Sequence, residues 1–179
     1  DRLAVKTRDH ALSYGALNRA ANLVAHAILA ERGRGEEPVA LLLESGAPMI
    51  AAILGALKAG KIYVPVDPSM PRARTGFILE ESEAGLVVTN GRNRAMAAAL
   101  AAGRRPLIDI DALGARLSTE SPDLPIAPSA PAWILYISGS TGQPKGVVQT
   151  HENVLHFVMI YAQGLGLRPS DRLTLLFSC

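Results

Sequence analysis

Between residues 39 and 110 the chain alternates short apolar runs with longer stretches of helical character, and this alternation restricts its fold more than any other feature. Val39–Leu43 is apolar without a break. A strand with one wet face would alternate apolar and polar residues, so an unbroken run marks a strand covered on both faces, as in a parallel sheet. Ala47–Ala59 follows, apolar nearly all round and therefore expected to be covered on more than one side, with Gly60 as its stop. Ile62–Val64, Leu86–Thr89 and Leu107–Ile110 read as further strands. Helices are predicted from Pro71 to about Glu83 and over Arg92–Ala102. The order strand, helix, strand predicts an α/β layered fold, a mostly parallel sheet flanked by helices.

Before this alternation, Leu3–Thr7 and His10–Leu12 read as a short strand pair. Ser13 suits the N-cap of a helix. Leu17, Ala21, Val24 and Ile28 form its apolar stripe, Asn18, Arg19 and Asn22 lie off it, and Gly33 or Gly35 ends it. The isolated His26 is read as structural or solvent-facing. Asp67, between Pro65 and Pro68, is read as a turn residue, and Glu80-Glu81-Ser82-Glu83 as a solvated face.

Residues 111–132 break the pattern. Pro122, Pro125, Pro128 and Pro131 punctuate the segment, which is predicted to be a linker between two α/β parts. Beyond it, the apolar run Trp133–Ile137 gives way to Ser138-Gly139-Ser140-Thr141-Gly142-Gln143-Pro144-Lys145-Gly146, and Val147-Val148 resumes it. Two strands joined by such a loop suit a phosphate. The glycines let backbone approach a ligand, successive N–H groups can form a nest for an anion, and Ser138, Ser140 and Thr141 add hydroxyl donors. Lys145 adds a compact charge, and only four of the 18 basic residues are lysine, so arginine is this chain's usual cation. The loop is not a Walker A motif, which needs Gly-Lys-Ser/Thr opening a helix. Here Pro144 precedes the lysine and Gly146-Val147-Val148 follows it.

The stretch closely resembles the phosphate-loop motif of the adenylate-forming enzymes: acyl-CoA synthetases, luciferases and the adenylation domains of nonribosomal peptide synthetases. Leu12-Ser13-Tyr14-Gly15-Ala16-Leu17 is similar to the first core motif of the peptide synthetase branch, and Leu57–Pro68 to its second. The resemblance implies ATP-dependent, Mg2+-assisted activation of a carboxylic acid, most simply an amino acid, as an acyl adenylate. It further implies transfer to a phosphopantetheine thiol on a partner carrier-protein domain. By resemblance, Ser138, Gly139, Ser140, Thr141, Gly142, Lys145 and Gly146 bind the nucleotide, with Lys145 also the catalytic candidate. Ile137 stands where the family usually has threonine, which implies one hydroxyl contact fewer. The alternatives are an acyl- or aryl-CoA ligase and a nucleotide-binding module without catalysis.

Composition sets the remaining bounds. With 49% hydrophobic and 19% charged residues the chain is expected to be globular and soluble, and a net charge of +2 gives no footprint for nucleic acid. Its one cysteine, Cys179, fits a reducing, cytoplasmic setting. No membrane span or metal-ligand cluster is legible. Thr150 is predicted to cap a helix from His151 to about Leu165 with Val154, Val158 and Tyr161 on one face, and Leu173–Phe177 to be a strand. His151 is read as structural, with a role near phosphate as the less favoured reading. The whole is expected to be the N-terminal part of the large domain of a longer enzyme, inactive by itself.

Overall fold

The apolar runs line up in one sheet. The computed structural model describes residues 2–114, 116–138 and 143–174. Strands β1 (Leu3–Lys6) and β2 (Ala11–Ser13) form a small antiparallel pair. Helix α1 (Tyr14–Arg32) is followed by β3 (Pro38–Leu42), α2 (Ala47–Lys58), β4 (Ile62–Val66), α3 (Arg72–Glu81), β5 (Leu86–Thr89), α4 (Arg94–Ala101) and β6 (Leu107–Asp109). A 3-10 turn at Ile110–Ala112, the hairpin β7 (Pro131–Ser138) and β8 (Pro144–Thr150), and α5 (His151–Gly164) complete the order. The six-stranded sheet runs β6-β5-β3-β4-β7-β8 and is parallel except for the edge strand β8.

Side chains of a strand point alternately to its two faces, and here both faces are covered. Val39, Leu41 and Leu43 join a core with Val24 and Ile28 of α1 and Met49, Ala52 and Ala56 of α2. Ala40 and Leu42 join a second core with Ile78 and Leu79 of α3 and Ala97 of α4. That double covering is the physical reason for the unbroken apolar run. Local signals also hold. The Ser13 hydroxyl accepts from the Ala16 N–H at 3.2 Å, and Gly33, at φ 64°, closes α1 by donating to the Leu29 carbonyl.

Several expectations need correction. Asn22 is buried and not off the stripe, because its amide donates to the Thr119 carbonyl at 2.6 Å and ties α1 to the Pro-rich stretch. The reading of His26 as structural or solvent-facing holds: its Nε2 lies 2.9 Å from the Glu120 carbonyl in the same stretch. Strand β4 runs on through Pro65 to Val66, two residues beyond the expected Ile62–Val64. Helix α3 stops at Glu81. The acidic run after Leu79 is not simply solvated, since Ser82 is buried and Glu80 holds Arg104 at 2.7 Å and Arg105 at 3.0 Å. Among the described residues, 113–130 carry no helix or strand and lead from β6 to β7 within the same sheet.

Helix α5 starts with a capping box between Thr150 and Asn153. None of its residues is buried, and Phe157, Val158, Met159 and Ile160 are each more than half exposed. Of the face expected for Val154, Val158 and Tyr161, only Val154 is partly buried, and Val158 and Tyr161 are exposed, with Tyr161 stacked on Phe157. Leu173 lies outside regular structure, and 175–177, expected to continue it as a strand, fall outside the described residues.

Lys61 is the largest fully buried side chain, and its ammonium has two partners. Nζ donates to Glu37 Oε1 and to the Gly35 carbonyl, both at 2.8 Å. Arg32 reaches the other Glu37 oxygen at 2.8 Å. The Arg32 hydrogen bond, with help from Lys61 and against the opposing effect of burial, holds the Glu37 carboxyl below its ordinary range. A carboxyl lowered on folding contributes stability above its unfolded pKa, about 4.3, and loses it as pH falls through the folded value. Glu37→Gln, which strands the buried Lys61 charge, is expected to cost about 3 kcal/mol at pH 7. In urea unfolding the gap between variant and wild type should begin to narrow as pH falls below about 4.3 and close only below the lowered folded value, where both carry a neutral side chain.

Candidate functional site

In open α/β sheets ligands bind outside the carboxyl ends of the parallel strands. Strand β7 runs parallel to β4, with Tyr63 paired to Trp133, so its last residue, Ser138, emerges at that edge. The polar loop therefore leaves the sheet on the side where β3, β4 and β5 also end. The hairpin register is continuous at its tip, pairing Ser138 with Pro144, Ile137 with Lys145 and Tyr136 with Gly146. Cross-strand partners share a face. Ile137 and Lys145 thus stand on one face, and Tyr136, Ser138, Pro144 and Gly146 on the other. Pro144, without an N–H, is tolerated because β8 is an edge strand.

Of the predicted nucleotide-binding residues, Ser138, Lys145 and Gly146 are described and lie together at the root of the loop. Gly139, Ser140, Thr141 and Gly142 lie outside the described residues. Ser138 and Lys145 are exposed, and among the described residues no carboxylate pairs with Lys145. The lysine is thus a cation at the mouth of a loop of small residues, unneutralised by its described neighbours. That arrangement can receive an anion. Ile137 is 55% exposed, so it fills no core position at the site.

Asp67 sits just past the end of β4, where its Oδ1 accepts from the Ser69 N–H at 2.8 Å and its carbonyl from the Met70 N–H at 3.1 Å, the geometry of a turn. The less favoured reading of His151 does not survive. Strand β8 rises about 3.4 Å per residue, which carries His151 about 20 Å from the loop, to the opposite edge of the sheet. There its N–H donates to the Ala130 carbonyl, and burial pushes its imidazole pKa down, with Glu36 partly opposing. Tyr136 was not singled out as a site residue in the sequence. Its ring packs beside Ile134 against the core under α3, and its hydroxyl meets Glu81. No local motif announces a partner on another helix. Among the described residues no group of three or more His, Cys, Asp or Glu is placed to hold a metal ion, and no helix is long and apolar enough to cross a membrane.

The open, mostly parallel sheet flanked by helices places the chain among the layered α/β proteins, and comparison with known proteins gives its family. The profile of the AMP-binding enzymes matches residues 1–178, and the chain belongs to that family. It is 41% identical to tyrocidine synthase 2 of Brevibacillus parabrevis over 164 residues, 90% of this chain and 4% of that protein. Solved structures share the fold, two of them as follows. The nonribosomal peptide synthetase FmoA3 in its AMPPNP-bound form superposes with a TM-score of 0.90 at 31% identity, over 99% of this chain and 18% of that one. The N-terminal domain of FACL13 from Mycobacterium tuberculosis gives a TM-score of 0.85 at 28% identity, over 95% of this chain and 45% of that one. The chain thus spans only a small part of its synthetase relatives, which include the peptide synthetases for tyrocidine and surfactin.

Proposed function

We propose that the enzyme to which this chain belongs condenses an amino acid with Mg·ATP to an aminoacyl adenylate and pyrophosphate. It then passes the acyl group to the phosphopantetheine thiol of a carrier domain. The observation that carries this reading is the hairpin tip at the carboxyl edge, with Lys145 facing solvent beside a loop of glycine and hydroxyl residues. The family and the synthetase relatives support the reaction class, and the AMPPNP-bound neighbour supports a nucleotide as the ligand.

The chemistry accounts for the residue types. A carboxylate must approach an α-phosphate of like charge, and pyrophosphate must leave carrying more. Donors fixed in advance around the β- and γ-phosphates lower both costs, since they need no rearrangement as charge builds on the leaving group. In this reading Ser138, Gly139, Ser140, Thr141, Gly142 and Gly146 contribute backbone and hydroxyl donors, and Lys145 a mobile charge. Mg2+ arrives with the nucleotide and screens its phosphates.

The test is ATP–pyrophosphate exchange by the whole enzyme against amino, aryl and fatty acids. Exchange dependent on an amino acid is expected. Dependence on a fatty or aryl acid with release to coenzyme A would favour the second reading, an acyl-CoA ligase, to which the likeness to a fatty acyl CoA synthetase of Mycobacterium tuberculosis points. Residues 1–179 alone are expected to show no substrate-dependent exchange. A phosphate loop holds the leaving group but cannot by itself bring a carboxylate into line with the α-phosphate, and positioning supplies much of such a rate. Ile137→Thr, which adds a hydroxyl at an exposed position beside the loop, is expected to tighten MgATP binding by up to about 10-fold, the effect of one hydrogen bond. Weaker binding in isothermal titration would make Ile137 a shape-determining residue instead.

A further inference from the structure

The hairpin that carries the loop is paired with the rest of the sheet near its base, where Trp133 packs edge-on against Tyr63. Among the described residues the β4–β7 ladder is marked by one pair, Tyr63 with Trp133, and beyond β8 the sheet has no further strand. From Ile134 to Ser138 the hairpin is paired with itself, so its tilt over the carboxyl edge must be set by side chains. Toward the loop, Ile134 and Tyr136 both pack against the core beneath α3, and Tyr136 adds a polar contact. Tyr136, two residues before the end of β7, packs its ring against the core beneath α3 and donates its hydroxyl to Glu81, the last residue of α3. Gly146 makes room for it. A Cβ there would stand 2.9 Å from Ile134 Cγ2 and 3.3 Å from Tyr136 Cζ. Gly146 is absent from the positive-φ glycines, so the neighbouring Ile134 and Tyr136 side chains, not the backbone conformation, favour the missing Cβ.

We infer that Tyr136 and Glu81 are positioning residues that brace the loop hairpin against helix α3, with Gly146 as the seat of the tyrosine ring. The inference rests on the phosphate-loop reading. The brace holds the root of the loop at one height and angle, so its loss should weaken the use of ATP more than that of the acyl substrate.

The experiment is steady-state ATP–pyrophosphate exchange by the whole enzyme, with Tyr136→Phe, Glu81→Ala, the double variant, Glu81→Gln and Lys145→Ala. Tyr136→Phe and Glu81→Ala are each expected to raise the KM for MgATP about 5-fold, as for one lost charge-assisted hydrogen bond at a part-exposed site. The double variant should be no worse than either single one, because both remove the same contact. Glu81→Gln, whose amide oxygen still accepts from the hydroxyl, should stay near the wild-type KM. The KM for the amino acid should hold throughout. Additive losses would overturn the inference, as would an unchanged KM for MgATP in both single variants while Lys145→Ala slows exchange. Equal rises in both KM values accompanied by a fall in Tm would reduce the contact to a general fold support and overturn it too. If Lys145→Ala itself leaves exchange untouched, the phosphate-loop reading fails and the brace falls with it.

Discussion

Lys145→Ala in the whole enzyme is expected to slow ATP–pyrophosphate exchange at subsaturating ATP by about 10- to 100-fold. The estimate follows from one charge-assisted contact of about 1.5–3 kcal/mol, with tenfold in rate for each 1.4 kcal/mol or so. Two structural facts make the variant clean. The side chain is exposed at the tip of an edge strand, and among the described residues no carboxylate depends on it. Substitutions of that kind change stability by about 0.5 kcal/mol or less, so a lost rate with an unmoved Tm reports on the nucleotide and not on the fold. Lys145→Arg should recover only part of the activity, because a planar guanidinium does not replace a compact ammonium on a flexible stem. An unchanged exchange rate for the alanine variant would take the lysine out of the mechanism.

Gly55→Val should abolish cooperative folding of this domain or leave it close to its threshold. Gly55 lies inside α2 where that helix crosses α1. A Cβ there would come 2.7 Å from Val24 Cβ and 2.9 Å from the Ala21 carbonyl oxygen. Both obstacles belong to or sit directly on a backbone, so neither can swing aside and the helices must separate. Even Gly55→Ala brings opposing effects into competition. Replacing a mid-helix glycine by alanine gains about 0.5–1 kcal/mol in helix propensity, while overpacking a rigid contact costs about 1–3 kcal/mol, and overpacking wins. The two branched methyls of valine add to the cost, in a domain whose total stability is expected to be about 5–15 kcal/mol. Gly76 in α3 supplies the opposite case. A Cβ there would meet Leu100 Cδ2 at 3.9 Å, an ordinary contact, so Gly76→Ala should stabilise by about 0.5–1 kcal/mol. Urea unfolding of the pair checks both signs. If the two glycines respond alike, packing at the α1–α2 crossing is not what requires Gly55.

From sequence alone these two glycines look the same, each an interruption of a helical stretch, and the contrast marks where sequence reasoning stops. The sequence by itself determined what depends on near neighbours. Ser13 and Thr150 cap their helices and Gly33 ends one, because the groups they satisfy lie within four residues. Val39–Leu43 announced a strand covered on both faces through its composition alone. The hairpin with its polar loop was legible because the apolar runs flank it directly. Only the tertiary structure decided what depends on residues far apart along the chain. It placed the hairpin beside β4 and aimed the loop at the carboxyl edge. It took His151 to the far edge, because seven strand residues intervene. It buried Asn22 against Thr119 and Lys61 against Glu37, and it joined Tyr136 to Glu81. Periodicity and capping describe one turn or one strand at a time. Which elements meet is decided by the shapes of the faces they bury, and those faces exist only once the sheet has formed.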